Sequence, residues 1–86
     1  MVEKKAIVRS ENGIHARPAM KINKVALLYK SNIIIIKDGN EYNARSIVSL
    51  MTMAAEKGDE LIVRTEGADE EEAATAIVQA LENIEG

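Results

Sequence analysis

The stretch "SENGIHARPAMKIN", positions 10 to 23, concentrates the residues of this chain that could do chemistry. It holds the only histidine, His15, and the only proline, Pro18, with Gly13 before them and Arg17 between. Gly13 allows a tight backbone turn just ahead of the imidazole. Pro18 lacks an amide hydrogen and is tolerated only in a first helical turn, so a helix is expected to start at His15 or Ala16. His15 then stands at a helix N-terminus, where unpaired amides and the positive end of the dipole favour an anion. Arg17 adds a permanent guanidinium fork suited to phosphate oxygens. Together these parts describe a place where an imidazole nitrogen attacks a phosphoryl group and holds it briefly. The plain alternative is a capping or solvent-facing histidine without chemistry.

Other chemistries find little support. There is no Walker A loop, no HExxH pair and no carboxylate dyad with a defined site. A single histidine without a neighbouring His or Cys is a weak metal site, so no metal or cofactor is expected. Cysteine is absent, which excludes disulfides and fits a reducing, cytoplasmic setting. The formal charge of −3 argues against nucleic acid, since phosphate backbones need clustered Lys and Arg. The opening "MVEKKAIVRS" alternates and has no long apolar core, so no secretory leader is expected. No apolar run approaches the roughly 18 residues of a membrane span, so no membrane insertion is expected. Eighty-six residues make one domain, 1–86, with a single modest core and no room for a deep cleft. What remains is group carriage by a carrier rather than an enzyme with turnover of its own. A flat site suits that task, because donor and acceptor proteins must both reach it.

The elements that must position His15 follow from periodicity. Residues 2 to 8 alternate, with Val2, Lys4, Ala6 and Val8 on one side, which predicts a strand. From Ala16 to Tyr29 the spacing is helical, with Ala19, Ile22, Val25, Ala26 and Tyr29 on the buried stripe. "IIII" at 33 to 36, the turn "KDGN" and a strand around Glu41 to Ala44 form a hairpin. "RSIVSLMTMAAEKGDE" predicts a short helix opening at Ser46 and closing near Gly58. "ELIVRTEG" is the fourth strand. The last helix is expected to open with Asp69 as N-cap and Glu72 as the capping-box glutamate, and to bury Ala73, Ala76, Ile77, Ala80, Leu81 and Ile84. The order βαββαβα predicts an α+β fold, an open-faced β-sandwich with a four-stranded antiparallel sheet and three helices on one face. A free anion held at the His15 helix start by a small α/β module would use the same elements.

Two surfaces stand out. Met20 and Leu27 are seven residues apart and lie about 100° from the core stripe of their helix, and with Lys24 they form an exposed ridge below His15. Ile47, Val48 and Met51 offer a similar patch on the second helix. Apolar patches beside a reactive group suggest protein docking, and Met suits a surface that meets several partners; scattered surface hydrophobes without a role are the alternative. On the sheet, Ile7, Ile34, Ile36 and Ile62 point to the open face. They either serve strand structure in a monomer, the reading preferred here, or are covered by a second subunit in a dimer.

Three segments, "NGIHARPA" (12 to 19), "RSIVSLM" (45 to 51) and "KGDELIV" (57 to 63), give the chain a resemblance along its whole length to the HPr family. These are the histidine-containing phosphocarriers of the bacterial phosphoenolpyruvate-dependent sugar phosphotransferase system, with the related Crh proteins. The resemblance implies that His15 takes phosphate on Nδ1 from enzyme I and gives it to the IIA domains of sugar permeases. It implies that Arg17 steadies the phosphoryl group, that the amides of Ala16 and Arg17 cap it, and that both helices supply the docking surface. Ser46 matches the family's regulatory serine, phosphorylated by HPr kinase/phosphorylase and read by a catabolite-control transcription regulator; serine is also a common N-cap, and both roles can hold together. A branch that acts mainly through this serine lacks the reactive histidine. The chain departs from the family pattern at Leu27, where polar or basic residues are usual, at Arg45 for lysine, at Ser49 and Ala54 for glycines, and in its apolar open face.

Overall fold

Period-two alternation and 3.6-residue spacing build the expected βαββαβα order: β1 (Val2–Ile7), α1 (Ala16–Ala26), β2 (Asn32–Lys37), β3 (Asn40–Asn43), α2 (Ile47–Met53), β4 (Glu60–Glu66) and α3 (Glu70–Asn83). The computed structural model describes residues 1–83; Ile84, expected on the last helical stripe, lies outside the described residues. The strands form one sheet in the order β1-β4-β2-β3, and every neighbouring pair is antiparallel. Asp38 and Gly39, both at positive φ (51° and 81°), make the two-residue turn that matches the twist of the β2–β3 hairpin.

Alternation sends one row of each strand to the helices. Ala6 lies opposite Leu61, Ile35 opposite Val63 and Ile33 opposite Thr65. This row packs against Ala19, Ile22 and Ala26 of α1, Leu50 and Met53 of α2, and Ala73, Ile77 and Leu81 of α3. The other row carries Ile7, Ile34, Ile36 and Ile62, as expected, and all four are half-buried. Ile36 faces Ile62 across β2–β4, and Ile34 faces Arg64. Arg64 pairs with Glu3 at 2.7 Å and Glu41 at 3.1 Å, and Lys5 with Glu60 at 3.6 Å, so long side chains lie beside the isoleucines.

Several boundaries differ from the expected ones. Helix α1 ends at Ala26 rather than Tyr29, because its last amides tighten: Leu28 and Tyr29 donate to Val25 and Ala26, three residues back. Helix α2 ends at Met53, well before Gly58. Ala54 turns left-handed (φ 50°, ψ 42°), and the following segment pairs instead with the end of β1, through Gly58 N–H to Val8 O (2.8 Å) and Val8 N–H to Asp59 O (3.0 Å). At α3 the expected capping box is rearranged. The Asp69 carbonyl takes the first bond, from Ala73 at 2.9 Å, and the glutamate that reaches back is Glu70, accepting from Gly67 N–H at 3.1 Å.

The Asp69 carboxylate crosses to the α1–β2 connection. It accepts from the amides of Lys30 (2.9 Å) and Ser31 (3.0 Å) and from the Ser31 hydroxyl. These donors hold its carboxyl below the usual range, the Ser31 hydroxyl contributing most and the Lys30 amide next. A folded-state pKa that is depressed adds stability above the unfolded value, about 3.9 for Asp, and loses it as pH falls through the lower folded value. Asp69→Ala is therefore expected to melt at lower temperature than the native chain near neutrality and to lose less of its stability on acidification. Thermal unfolding followed by circular dichroism across the acid range checks this. Identical acid lability in the two proteins would count against the clamp.

Candidate functional site

His15 is the N-cap of α1, with extended backbone (φ −94°, ψ −164°) and no side-chain capping bond. The first helical bond runs from Ala19 N–H to His15 O at 2.9 Å. The amides of Ala16 and Arg17 thus belong to the unpaired first turn, and Pro18 has none to leave unpaired. The imidazole and the Arg17 side chain are both exposed. Neither makes a side-chain hydrogen bond or ion pair among the described residues.

Gly13 sets this geometry. It sits at φ 72°, and a Cβ there would run into the Ala55 carbonyl oxygen and lie 2.9 Å from Glu56 Cα. Bare of a side chain, it lets the adjoining Ile14 N–H reach Ala55 O at 2.8 Å, while its own N–H donates to Ser10 O at 3.0 Å. Lys57 crosses the same pair of loops to Glu11 at 2.7 Å. That bond, followed by the lysine's charge, lowers the Glu11 carboxyl, although an exposed pair of this kind adds little stability.

A depression of about 320 Å³ lies in front of the imidazole, lined by His15 and Ala16 together with Met51, Ala54 and Ala55. The fold thus brings Met51 of α2 beside His15, while Arg17, Met20, Lys24, Leu27, Ile47 and Val48 lie outside the depression. Those last five and Met51 are exposed, Val48 at 74% and Leu27 at 54%. Sequence reasoning missed Leu28, the most exposed of the large apolar residues among those described, at 78%, because it placed this residue inside a helix that ends two positions earlier. It also missed that Ala54 and Ala55 line the site; the alanine standing where the family's glycine is usual was the available signal. A second depression of about 290 Å³ is lined by Ile34 and two arginines, Arg64, paired with Glu3 and Glu41, and Arg45, donating to Tyr29 O; among its lining residues the N-terminal amine of Met1 is paired with Glu70.

Ser46 is the N-cap of α2, and its hydroxyl accepts from Ser49 N–H at 3.2 Å. It precedes Met51 by five positions, roughly 7 Å along the axis at 1.5 Å per residue, and does not line the depression. No group of three or more potential metal ligands occurs among the described residues, and no helix among them is long and apolar enough to cross a membrane.

The family model described as the "PTS HPr component phosphorylation site" matches residues 2–83. The chain belongs to the HPr family. It is 38% identical over 84 residues to a phosphocarrier protein HPr of Borreliella burgdorferi, covering 98% of each chain. It is 42% identical over 82 residues to an HPr-like protein Crh of Halalkalibacterium halodurans, covering 95% of this chain and 98% of that one. Its fold superposes on the crystal structure of a phosphocarrier protein HPr from Bacillus anthracis with a TM-score of 0.90, at 37% identity and with 94% and 96% of the two chains covered. The βαββαβα open-faced sandwich is accordingly the HPr fold, and the family's role is that of a phosphocarrier in the phosphotransferase system.

Two substitutions probe the site's scaffold. Gly13→Ala is expected to destabilise the protein by more than about 1 kcal/mol, through positive φ and the collision with Ala55. Ser46→Ala removes an N-cap acceptor and is expected to cost about 0.5–2 kcal/mol. Urea denaturation of both variants beside the native chain measures each effect; a Gly13→Ala variant of native stability would contradict the close approach.

Proposed function

We propose that His15 is the phosphoryl acceptor of this HPr-family chain, taking phosphate from enzyme I and passing it to IIA domains of sugar permeases in the cytoplasm. The observation that carries this reading is an exposed imidazole at the head of α1, next to the first-turn amides and Arg17, with no side-chain partner for His15 or Arg17 among the described residues. In the transfer, an imidazole nitrogen attacks phosphorus, the new N–P bond forms, and the bond between phosphorus and the donor breaks with its electron pair returning to the donor. The amides of Ala16 and Arg17 and the Arg17 guanidinium meet the phosphoryl oxygens, whose charge they stabilise. The exposed residues Met20, Lys24, Leu27, Ile47, Val48 and Met51 form the docking surface, to which Leu28 is added. The protein acts as a carrier whose covalent state is the product of each half-transfer. It works as a monomer, a reading supported by the half-burial of its open-face isoleucines.

Ser46 is proposed as a regulatory phosphorylation site for an HPr kinase/phosphorylase, with the phosphorylated form read by a catabolite-control transcription regulator. Its N-cap position supports this, since a phosphate at a helix N-terminus is electrostatically tolerated and need not unfold α2. The added negative charge would then act on partners that approach the α1–α2 surface.

Incubation with phosphoenolpyruvate and enzyme I is expected to place one acid-labile, alkali-stable phosphate on the protein, visible by mass spectrometry. His15→Ala should take up none, and Arg17→Ala should transfer about 10²-fold more slowly, the scale for losing one charge-stabilising donor. Phosphate uptake by the His15→Ala variant at the native rate would sink the assignment.

A further inference from the structure

Alternation along β2 places Lys37 on the helix-facing side, in the same row as Ile33 and Ile35. A lysine there is tolerated when its stem lies along apolar surface and its ammonium finds acceptors. The acceptors are the unpaired carbonyls that end α2. Lys37 Nζ donates to Met53 O at 3.2 Å and to Ala54 O at 3.4 Å, and lies 3.9 Å from the Asp59 carboxylate. Its side chain is only 22% exposed. The Asp59 carboxylate also accepts from Glu56 N–H at 2.8 Å. One ammonium and one carboxylate therefore hold both ends of residues 53 to 59.

Within that span Ala54 keeps a left-handed backbone, φ 50°, which a side chain bearing a Cβ disfavours. The clamped carbonyl is its own. The next residue, Ala55, supplies the oxygen that receives Ile14 N–H at 2.8 Å, and Ile14 precedes His15. Four consecutive links thus run from the ammonium to the imidazole's backbone: Lys37 to Ala54, Ala54 to Ala55, Ala55 to Ile14, and Ile14 to His15. None of them passes through the exposed apolar residues of α1 and α2.

We infer that Lys37 is a positioning residue for phosphoryl transfer: by clamping the C-terminus of α2 it fixes the Ala55 carbonyl that holds Ile14, and with it the placement of His15. The inference deepens the phosphocarrier reading and rests on it for its consequence in transfer, while the mechanical link stands on the geometry alone. Loss of the ammonium loosens the placement of the nucleophile and leaves the docking surface intact. The effect falls on the rate within the docked complex rather than on its formation.

The test compares the native chain with Lys37→Met, which keeps the stem without the charge, and Lys37→Arg, which keeps a cation. Hydrogen exchange at the Ile14 amide, read by NMR, is expected to be about fivefold faster in Lys37→Met, the mark of a weakened local tether. Transfer from phosphorylated enzyme I should show kcat lowered about fivefold and KM within about twofold of native, with Lys37→Arg close to native in both readouts. Unchanged Ile14 exchange in Lys37→Met overturns the inference, and so does a raised KM at native kcat. Lys37→Gln replaces the methionine variant should that one not fold. If the native chain takes up no phosphate, the phosphocarrier reading fails, and the Ile14 exchange result still decides the link.

Discussion

The hydrogen bond from Ile14 N–H to the Ala55 carbonyl is the contact on which the site depends. It joins the loop that carries His15 to the loop that leaves α2, and it forms only because Gly13 has no side chain to strike Ala55. The two backbone bonds between Val8 and the Gly58–Asp59 pair extend the same seam into the sheet. With the seam closed, Met51 of α2 and His15 line one depression. A chain of this size has a small core, and it spends few side chains on the site itself. Backbone amides, one glycine and one helix start do most of the positioning.

That economy suits a carrier. A catalyst that must exclude water needs a closed pocket, whereas a phosphoryl group in transit must be reached by two proteins in turn. His15 lies on the surface at the head of α1, with its side chain and that of Arg17 exposed, and Met51 of α2 lines the same depression. The sheet's other face is different in character. Its isoleucines are half-buried beside Arg64 and Lys5, whose partners Glu3, Glu41 and Glu60 link β1, β4 and β3 across that face. The candidate site and the ion pairs of the sheet thus occupy opposite sides of one layer.

Much of this was legible in the residues. The alternation of Val2 to Val8 and of Ile33 to Ile36, the Asp38–Gly39 turn and the stripe from Ala19 to Ala26 are local signals, and local geometry obeyed them. Pro18 dated the start of α1 correctly because a missing amide is a local fact. The errors lie where a local preference met a distant partner. The segment after Met53 has the composition of a helix, yet its amides and carbonyls are taken by β1 and by Lys37. Asp69 stands at the N-cap position as expected, but its carboxylate is drawn to Lys30 and Ser31, some forty positions away. Tyr29 fits the α1 stripe by spacing, but its carbonyl is bound by the Arg45 guanidinium at 2.7 Å.

By itself, then, the sequence determined the element order, the two rows of each strand and the identity of His15, Arg17 and Pro18 as a helix-start constellation, since all of these follow from side-chain type and spacing along the chain. The tertiary structure alone decided where α2 stops, which residues line the depression before His15, and that Lys37 reaches the end of α2. Those outcomes depend on which unpaired backbone groups meet across the fold, and spacing along one chain carries no record of that.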